Sequence, residues 1–581
     1  MSTPYSGTGD YAYPPHSSST ANLTSGEKVS NMHQRSSFSP TVAGKSGNKK
    51  KLWWIVGAAV AIVVILAAVL GGVLGSRAAN EDNKSASEKA AEGGSGSGSG
   101  TRTSSGAGAS ATPAGPLVDI VDLPAWTWGT NKSIGMCLGS WLIIEKWMIP
   151  DWFNETVNAV QAGAGATTLD EWGLCEVLGQ EACKEALTEH MNNFVTEDDI
   201  QSLYEHGINH IRIPTGFWAW VPTEGDEPYV NDTALYQGQI ERVLKYTYDR
   251  GMYVFLDMHG LPGSQNGEQS SGHLTTSPSW FGPDGGDLTT NQQRSDNVIK
   301  AVTDWVAQTP YRSVITGIEP INEPRPYTDG QYDQIKEYYE RSYQTIQASQ
   351  WPVATIVPDA YYGFDNLTAW VGQHVTTPPS VVAVDHPYPG NFPPQNNTAD
   401  ILSQVCSAAD RYLNFPVPIL IDEWSIYTGV KDQDFEEEFY KQQLVTWAWS
   451  AGGTYWSYKL ITSQQDLANG LDYSQYSWAT LLSNNSATIG TAGSYGLSST
   501  TNQADAQAYI DALTAELTSS CGTIPDNVAP YDNGTFTVQT WSQELAARTS
   551  AAGQTLTATS TSLSWTAAPT ATVRAKRAVP L

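Results

Sequence analysis

The chain has 581 residues, 31 Lys/Arg against 59 Asp/Glu and a formal net charge of −28. Residues 1–51 hold six Lys/Arg against two Asp/Glu, net +4, so the remainder carries −32. An exterior this acidic disfavours nucleic acid and anionic lipid as partners and suits a neutral polymer.

Residues 1–51, rich in Ser, Thr, Pro, Gly and Asn, are expected to be a disordered cytoplasmic tail, because so little apolar content cannot offset the entropy of ordering. Residues 52–74, LWWIVGAAVAIVVILAAVLGGVL, are uncharged and apolar. About 20 such residues span a bilayer, so a single transmembrane helix is expected here. Lys45, Lys49, Lys50 and Lys51 precede it, whereas Arg77 on the far side stands near Glu81 and Asp82, which places the N-terminus in the cytosol and the rest outside. Residues 75–115 include Gly93-Gly-Ser-Gly-Ser-Gly-Ser-Gly100 and are expected to form a flexible stalk.

From residue 116 to 530 the composition is that of a folded domain, with short apolar runs alternating with helix-compatible stretches. The runs begin at Gly135, His210, Tyr253, Val314, Val353, Val381, Val417 and Gly453. Eight of them separated by helical connections predict a (β/α)8 TIM barrel, with polar candidates at the C-terminal strand ends where such barrels place catalysis. Apolar residues at 3–4 spacing predict helices over Ala234–Arg250 and Tyr332–Ala348. Residues 531–581 are a Ser/Thr-rich tail, expected to be disordered from about residue 545.

Five cysteines in an oxidising compartment allow at least one bridge and leave one thiol over. Cys175 and Cys183 fall in a stretch that reads as continuous helix, about 12 Å apart at the helical rise, too far to bridge. Sequons at Asn131, Asn154, Asn231, Asn366, Asn396, Asn484 and Asn533 lie beyond the apolar span and fit a surface made in the secretory pathway.

The chemistry is carried by two glutamates one hundred residues apart, Glu323 in Ile321-Asn-Glu-Pro324 and Glu423 in Ile421-Asp-Glu-Trp424. Cleaving a glycosidic bond passes through an oxocarbenium-like transition state, which needs one carboxyl to protonate the leaving oxygen and another to attack the sugar. Two carboxylates on rigid neighbouring strand ends supply this. In the competing reading Asn322-Glu323-Pro324 merely ends a strand and Glu423 is a solvated or ion-paired carboxylate.

Leu138-Gly-Ser-Trp-Leu-Ile-Ile-Glu145, Asp170-Glu-Trp-Gly-Leu-Cys175, His210-Ile-Arg-Ile-Pro214, Asp257-Met-His-Gly-Leu-Pro-Gly-Ser-Gln-Asn-Gly267, Asn322-Glu-Pro324, Asp385-His-Pro-Tyr388, Glu423-Trp-Ser425 and Tyr455-Trp-Ser-Tyr-Lys459 occur in that order. As a set they make the region from about Ile134 to Cys521 resemble the fungal exo-β-1,3-glucanases of glycoside hydrolase family 5. The resemblance implies Glu323, on the fourth strand, as general acid/base and Glu423, on the seventh, as nucleophile of a retaining reaction. It implies Arg212 as the partner of the nucleophile and Asn322 on the sugar 2-hydroxyl. His259, His386 and Tyr388 would surround the cleaved sugar. Trp456, on the eighth strand, would form an apolar floor, and Glu145 would contact terminal glucose hydroxyls. It further implies a Cys406–Cys521 bridge with Cys175 unpaired.

Relatives usually have Gly where this chain has Asp422, and Trp-Thr-Trp-Lys where it has Trp456-Ser-Tyr-Lys459, which bears on subsites and linkage. No metal pattern or phosphate loop is present in the sequence, so no cofactor is expected. The expected activity is release of glucose from non-reducing ends of β-1,3-glucan during cell wall remodelling, by a membrane-anchored enzyme facing outward. Its rivals are β-1,6 or internal cleavage, glucosyl transfer to another sugar, or a surface protein that binds glucan without turnover.

Overall fold

The computed structural model describes residues 123–412 and 415–483. The expected tail, apolar span, stalk and C-terminal tail, with Cys521, Asn484 and Asn533, lie outside the described residues. Among the described residues no helix is long and apolar enough to cross a membrane.

Eight parallel strands close a barrel in sequence order. They are β1 (Ser133–Cys137), β2 (His210–Gly216), β3 (Tyr253–Gly260), β4 (Ile315–Glu319), β5 (Ala354–Pro358), β6 (Val381–Val384), β7 (Ile419–Trp424) and β8 (Gly452–Tyr455). Closure is made by β1 against β8, with Ser133 opposite Gly452 and Met136 opposite Tyr455. Every strand residue is buried, because helices cover one face of the sheet and barrel side chains the other. That double burial is why each strand reads as a nearly unbroken apolar run.

Inside, Tyr253, Phe255, Ala354, Ile356, Val382, Val384 and Leu420 form one packed layer with Trp126 and Trp128. These positions recur every second residue, the period that points side chains to one face. Trp128 donates its indole N–H to the Thr316 carbonyl near the start of β4. The two tryptophans therefore plug the N-terminal mouth, and the opposite mouth is left for chemistry.

The predicted helices are present as Thr233–Tyr248 and Asp329–Gln347. Both begin earlier than the apolar spacing alone indicates, since Asp232 and Thr328 accept hydrogen bonds from Leu235 and Gln331 backbone N–H groups and so fix the N-termini.

Two cysteine expectations are corrected or completed. Cys175 and Cys183 form a disulfide with their Cα atoms 5.1 Å apart. The stretch is not one helix: Glu171–Leu178 stops at Gly179, whose φ of 73° only glycine adopts readily, and Gln180–Phe194 starts afresh. That break folds the second cysteine back to the first. Cys406 is also disulfide-bonded, and Cys137 is a buried free thiol. Asn231 and Asn396 are exposed, whereas Asn131, Asn154 and Asn366 are half-buried.

Candidate active site

The C-terminal mouth is organised around Arg212, which β2 places inside the barrel with no exposed surface. Its guanidinium meets four carboxyl groups. Nη1 donates to Glu423 Oε1 at 2.5 Å, Nη2 lies 3.0 Å from Asp257 Oδ2 and 2.9 Å from Glu319 Oε2, and Nε lies 3.3 Å from Asp422 Oδ2. A planar fork with five donors can do this where a lysine cannot. Nη2 also donates to Asn322 Oδ1 at 2.8 Å. With its oxygen committed, the Asn322 amide turns its NH2 group away from Arg212, and that buried nitrogen has no protein partner among the described residues. It is a donor awaiting an acceptor.

Glu423 lies in β7 and receives a second hydrogen bond from the Tyr388 hydroxyl to Oε2 at 2.8 Å. Glu323 is not on a strand. β4 ends at Glu319, and the next four residues carry Glu323 over the barrel mouth with a φ of 41°. Tyr388, in the loop after β6, has a φ of 35°. Left-handed backbone at such residues costs on the order of 1–3 kcal/mol each and persists only where the surroundings hold it. Here the surroundings are hydrogen bonds. His386 Nδ1 lies 2.8 Å from Glu323 Oε1 and its Nε2 lies 2.7 Å from Asp422 Oδ1.

Burial alone would raise the Glu323 carboxyl, but the hydrogen bond and charge of His386, with help from Tyr361 and Arg325, hold it down to about 2. His386 is the complement: burial opposes its charge, and Glu423, Asp422 and Glu323 together push its proton affinity well above the ordinary histidine range. Glu319 goes the other way. Burial raises its carboxyl well above the usual range, against the opposing charge of Arg212.

Around this pair, His259 in β3 sets Nδ1 2.7 Å from Asp257 Oδ2 and stacks on Trp456, ring centroids 5.5 Å apart and 7° between planes. Trp456 follows β8 rather than lying on it and is 4% exposed, so it forms a wall of the pocket more than an open platform. Glu145 lies beyond β1, with Oε2 accepting from the Trp147 indole at 2.9 Å and Oε1 buried without a protein partner. Burial lifts its carboxyl to about 7.

The structure thus gathers Arg212, Asn322, Glu323, His386, Tyr388 and Glu423 into one hydrogen-bonded network and places His259 and Trp456 in a stacked pair. Glu145 stands near enough to feel the charges of His259, Glu423 and Glu323. Asp257, Glu319 and Asp422 belong to the same network and were not among the expected site residues. Their signal was present: Asp257 is two residues from His259, Glu319 ends β4, and Asp422 adjoins Glu423.

Carboxylate oxygens of Glu323 and Glu423 and a ring nitrogen of His386 lie within 4.8 Å of one another. Each already holds a hydrogen bond or ion pair, and the His386–Glu323 contact is one along which a proton can move.

Residues 175–522 match the family described as Cellulase (glycosyl hydrolase family 5). The chain belongs to glycosyl hydrolase family 5. Among curated members it is 34% identical over 309 residues to glucan 1,3-beta-glucosidase 1 of Schizosaccharomyces pombe, covering 52% of this chain and 70% of the relative. It is 35% identical over 259 residues to the probable glucan 1,3-beta-glucosidase A of Aspergillus terreus, covering 45% of this chain and 56% of that one. The match thus spans just over half of the Aspergillus protein. Among solved structures, rutinosidase from Aspergillus niger superposes with a TM-score of 0.51 at 22% identity over 59% of this chain and 93% of that chain, a likeness of fold.

Proposed function

We propose that this family 5 glycoside hydrolase is a retaining exo-acting glucan 1,3-beta-glucosidase, with Glu323 as general acid/base and Glu423 as nucleophile. The observation that carries the retaining reading is the proximity of the two carboxylates, one oxygen of each lying within 4.8 Å of the other. Retaining pairs sit about 5–5.5 Å apart, whereas inverting pairs need roughly 6.5–9.5 Å to admit a water. The linkage rests on the names of the curated relatives.

In this reading a glucose unit fills the pocket with C1 over Glu423. Tyr388 and Arg212 hold the nucleophile still and compensate its charge. The unpartnered Asn322 nitrogen meets the 2-hydroxyl, a contact that strengthens as the transition state forms. The unpartnered Glu145 oxygen meets hydroxyls at the far side of the sugar, which favours a chain end over a chain interior. A glucan-binding protein without turnover has no use for an aligned acid and nucleophile together.

The purified full-length chain is expected to release β-glucose first from laminarin, a β-1,3-glucan, when the anomer is followed by NMR. Oligosaccharide products or a preference for the β-1,6-glucan pustulan would move the specificity to another linkage or to internal cleavage. Early α-glucose would overturn the assignment of Glu423.

We also propose that residues 52–74 anchor the chain in the cell membrane as a single-pass type II protein with the hydrolase outside, on the apolar length and the basic flank before it. Protease added to intact cells is then expected to remove the hydrolase and spare an N-terminal tag. Protection of the hydrolase would reverse the topology.

A further inference from the structure

We propose that Asp422 is a positioning residue for the acid step: it anchors His386 so that one proton is shared between His386 Nδ1 and the Glu323 carboxyl, and the departing sugar takes that proton. This rests on the retaining reading above.

The argument begins with counting protons. Both ring nitrogens of His386 face a carboxylate oxygen, Glu323 Oε1 at 2.8 Å and Asp422 Oδ1 at 2.7 Å. A neutral imidazole carries one N–H, so satisfying both contacts takes two protons distributed over three groups. The surroundings decide where they lie. From β7, Asp422 and Glu423 face the ring, Glu423 Oε2 being 3.6 Å from Nδ1. From β2, Arg212 Nε stands 3.3 Å from Asp422 Oδ2, and from β4 the Glu319 carboxyl shares the same guanidinium, 2.9 Å from Arg212 Nη2. Tyr361, after β5, and Arg325 also act on Glu323. Tyr388 shares the loop of His386 and is committed to Glu423.

Asp422 therefore has a guanidinium and an imidazole against it, and its burial is outweighed by Arg212 and His386, which hold it ionised. The Nε2 proton is committed to Asp422. The second proton lies on the Nδ1···Oε1 line, as imidazolium with carboxylate or as imidazole with carboxylic acid. The two forms have the same total charge and differ by one hop across one hydrogen bond. Imidazolium with carboxylate is the resting form, in keeping with the low Glu323 and high His386.

A general acid that rests ionised is otherwise a contradiction, and the shared proton resolves it. As the C1–O bond breaks, the Glu323 carboxyl delivers the proton to the leaving oxygen, Nδ1 gives up its own to the carboxyl, and Glu423 bonds to C1. His386 is left neutral with Nε2–H on Asp422. In the second half a water oxygen bonds to C1, Glu423 leaves as carboxylate, and the water proton returns through Glu323 to Nδ1. One proton departs with the sugar and one returns from water.

Activity on a poor leaving group should then fail at high pH when the shared proton is lost. Asp422 stabilises the protonated pair, so it moves that loss to higher pH. In Asp422→Asn the alkaline limb of kcat/KM on laminarin is expected to fall by about one pH unit or more. On 2,4-dinitrophenyl β-glucoside, whose leaving group needs no proton, the variant's limb is expected to stay where the wild-type limb is. A uniform loss across pH with an unmoved limb would make Asp422 merely structural and overturn the proposal.

Since Asp422 also touches Arg212, the variant could misfold, and a second measurement uses the wild-type protein. The ring 15N shifts of His386 are expected to report a doubly protonated ring at pH 7, and a ring titrating at an ordinary midpoint near 6.5 would overturn the proposal. A wild-type chain inactive on every β-glucoside would instead count against the proposed function, leaving the ring titration to decide the proton count.

Discussion

Alanine at Glu423 is expected to lower glucan turnover by about 10⁴-fold or more, because the bond that replaces the leaving group at C1 can no longer form. With 2,4-dinitrophenyl β-glucoside, azide should enter the space the carboxylate vacates and restore turnover, giving α-glucosyl azide. Alanine at Glu323 should lose about 10²–10⁴-fold on laminarin and much less on the dinitrophenyl substrate, which needs no acid. There azide should trap the glucosyl-enzyme and yield the β-azide. Opposite anomers from the two variants are the decisive outcome. β-Azide from Glu423→Ala would mean that the nucleophile is elsewhere, and unimpaired glucan binding in both variants would show that only chemistry had been removed. Tyr388 and Arg212 both hold Glu423, so its deletion leaves their donors facing the vacated volume, a ready seat for an anion.

The barrel was legible because its physics writes itself in one dimension. Strands buried on both faces need apolar runs, and all eight anticipated runs overlap an observed strand. The site was legible to the extent that its residues sit at the ends of those runs, as His259 and Glu423 do. Three things were not legible, each for a reason of three-dimensional geometry. The Cys175–Cys183 bridge depends on one left-handed glycine that breaks a stretch otherwise suited to helix. The seat of Glu323 beyond β4 depends on backbone that a glutamate does not choose by itself, held by His386 from the loop after β6. The string Glu319-Pro-Ile-Asn-Glu323 offers two glutamates, and only the fold assigns one to the interior beside Arg212 and the other to the mouth. Asp422 was visible as a departure from relatives, but its meaning required the imidazole from the loop after β6 to arrive 2.7 Å away.

Arg212 should prove the residue on which the fold and the chemistry depend together. It is wholly buried against Asp257, Glu319, Asp422 and Glu423, so Arg212→Met removes the positive charge and leaves the acidic groups behind. Removing one partner of a buried ion pair costs about 3–5 kcal/mol, far more than the net worth of the pair itself. Urea unfolding at pH 7 is expected to show a loss of that size. The pH dependence gives the mechanism away. In the wild-type protein Asp422 is held below its ordinary range, so its contribution is present above the unfolded carboxylate pKa and fades as pH falls through the folded one. Without Arg212 the buried carboxylates shift upward instead, so the folded variant binds more protons than its unfolded chain and gains stability on acidification. The gap between variant and wild type should therefore narrow from pH 7 to pH 4.5. A constant gap would mean that lost packing, not uncompensated charge, is the cause. Arg212→Lys should recover little, since an ammonium cannot present a planar fork to four carboxyls and an amide at once. Even where the variant folds, turnover should stay low, because the same guanidinium orients the Asn322 nitrogen and fixes Glu423.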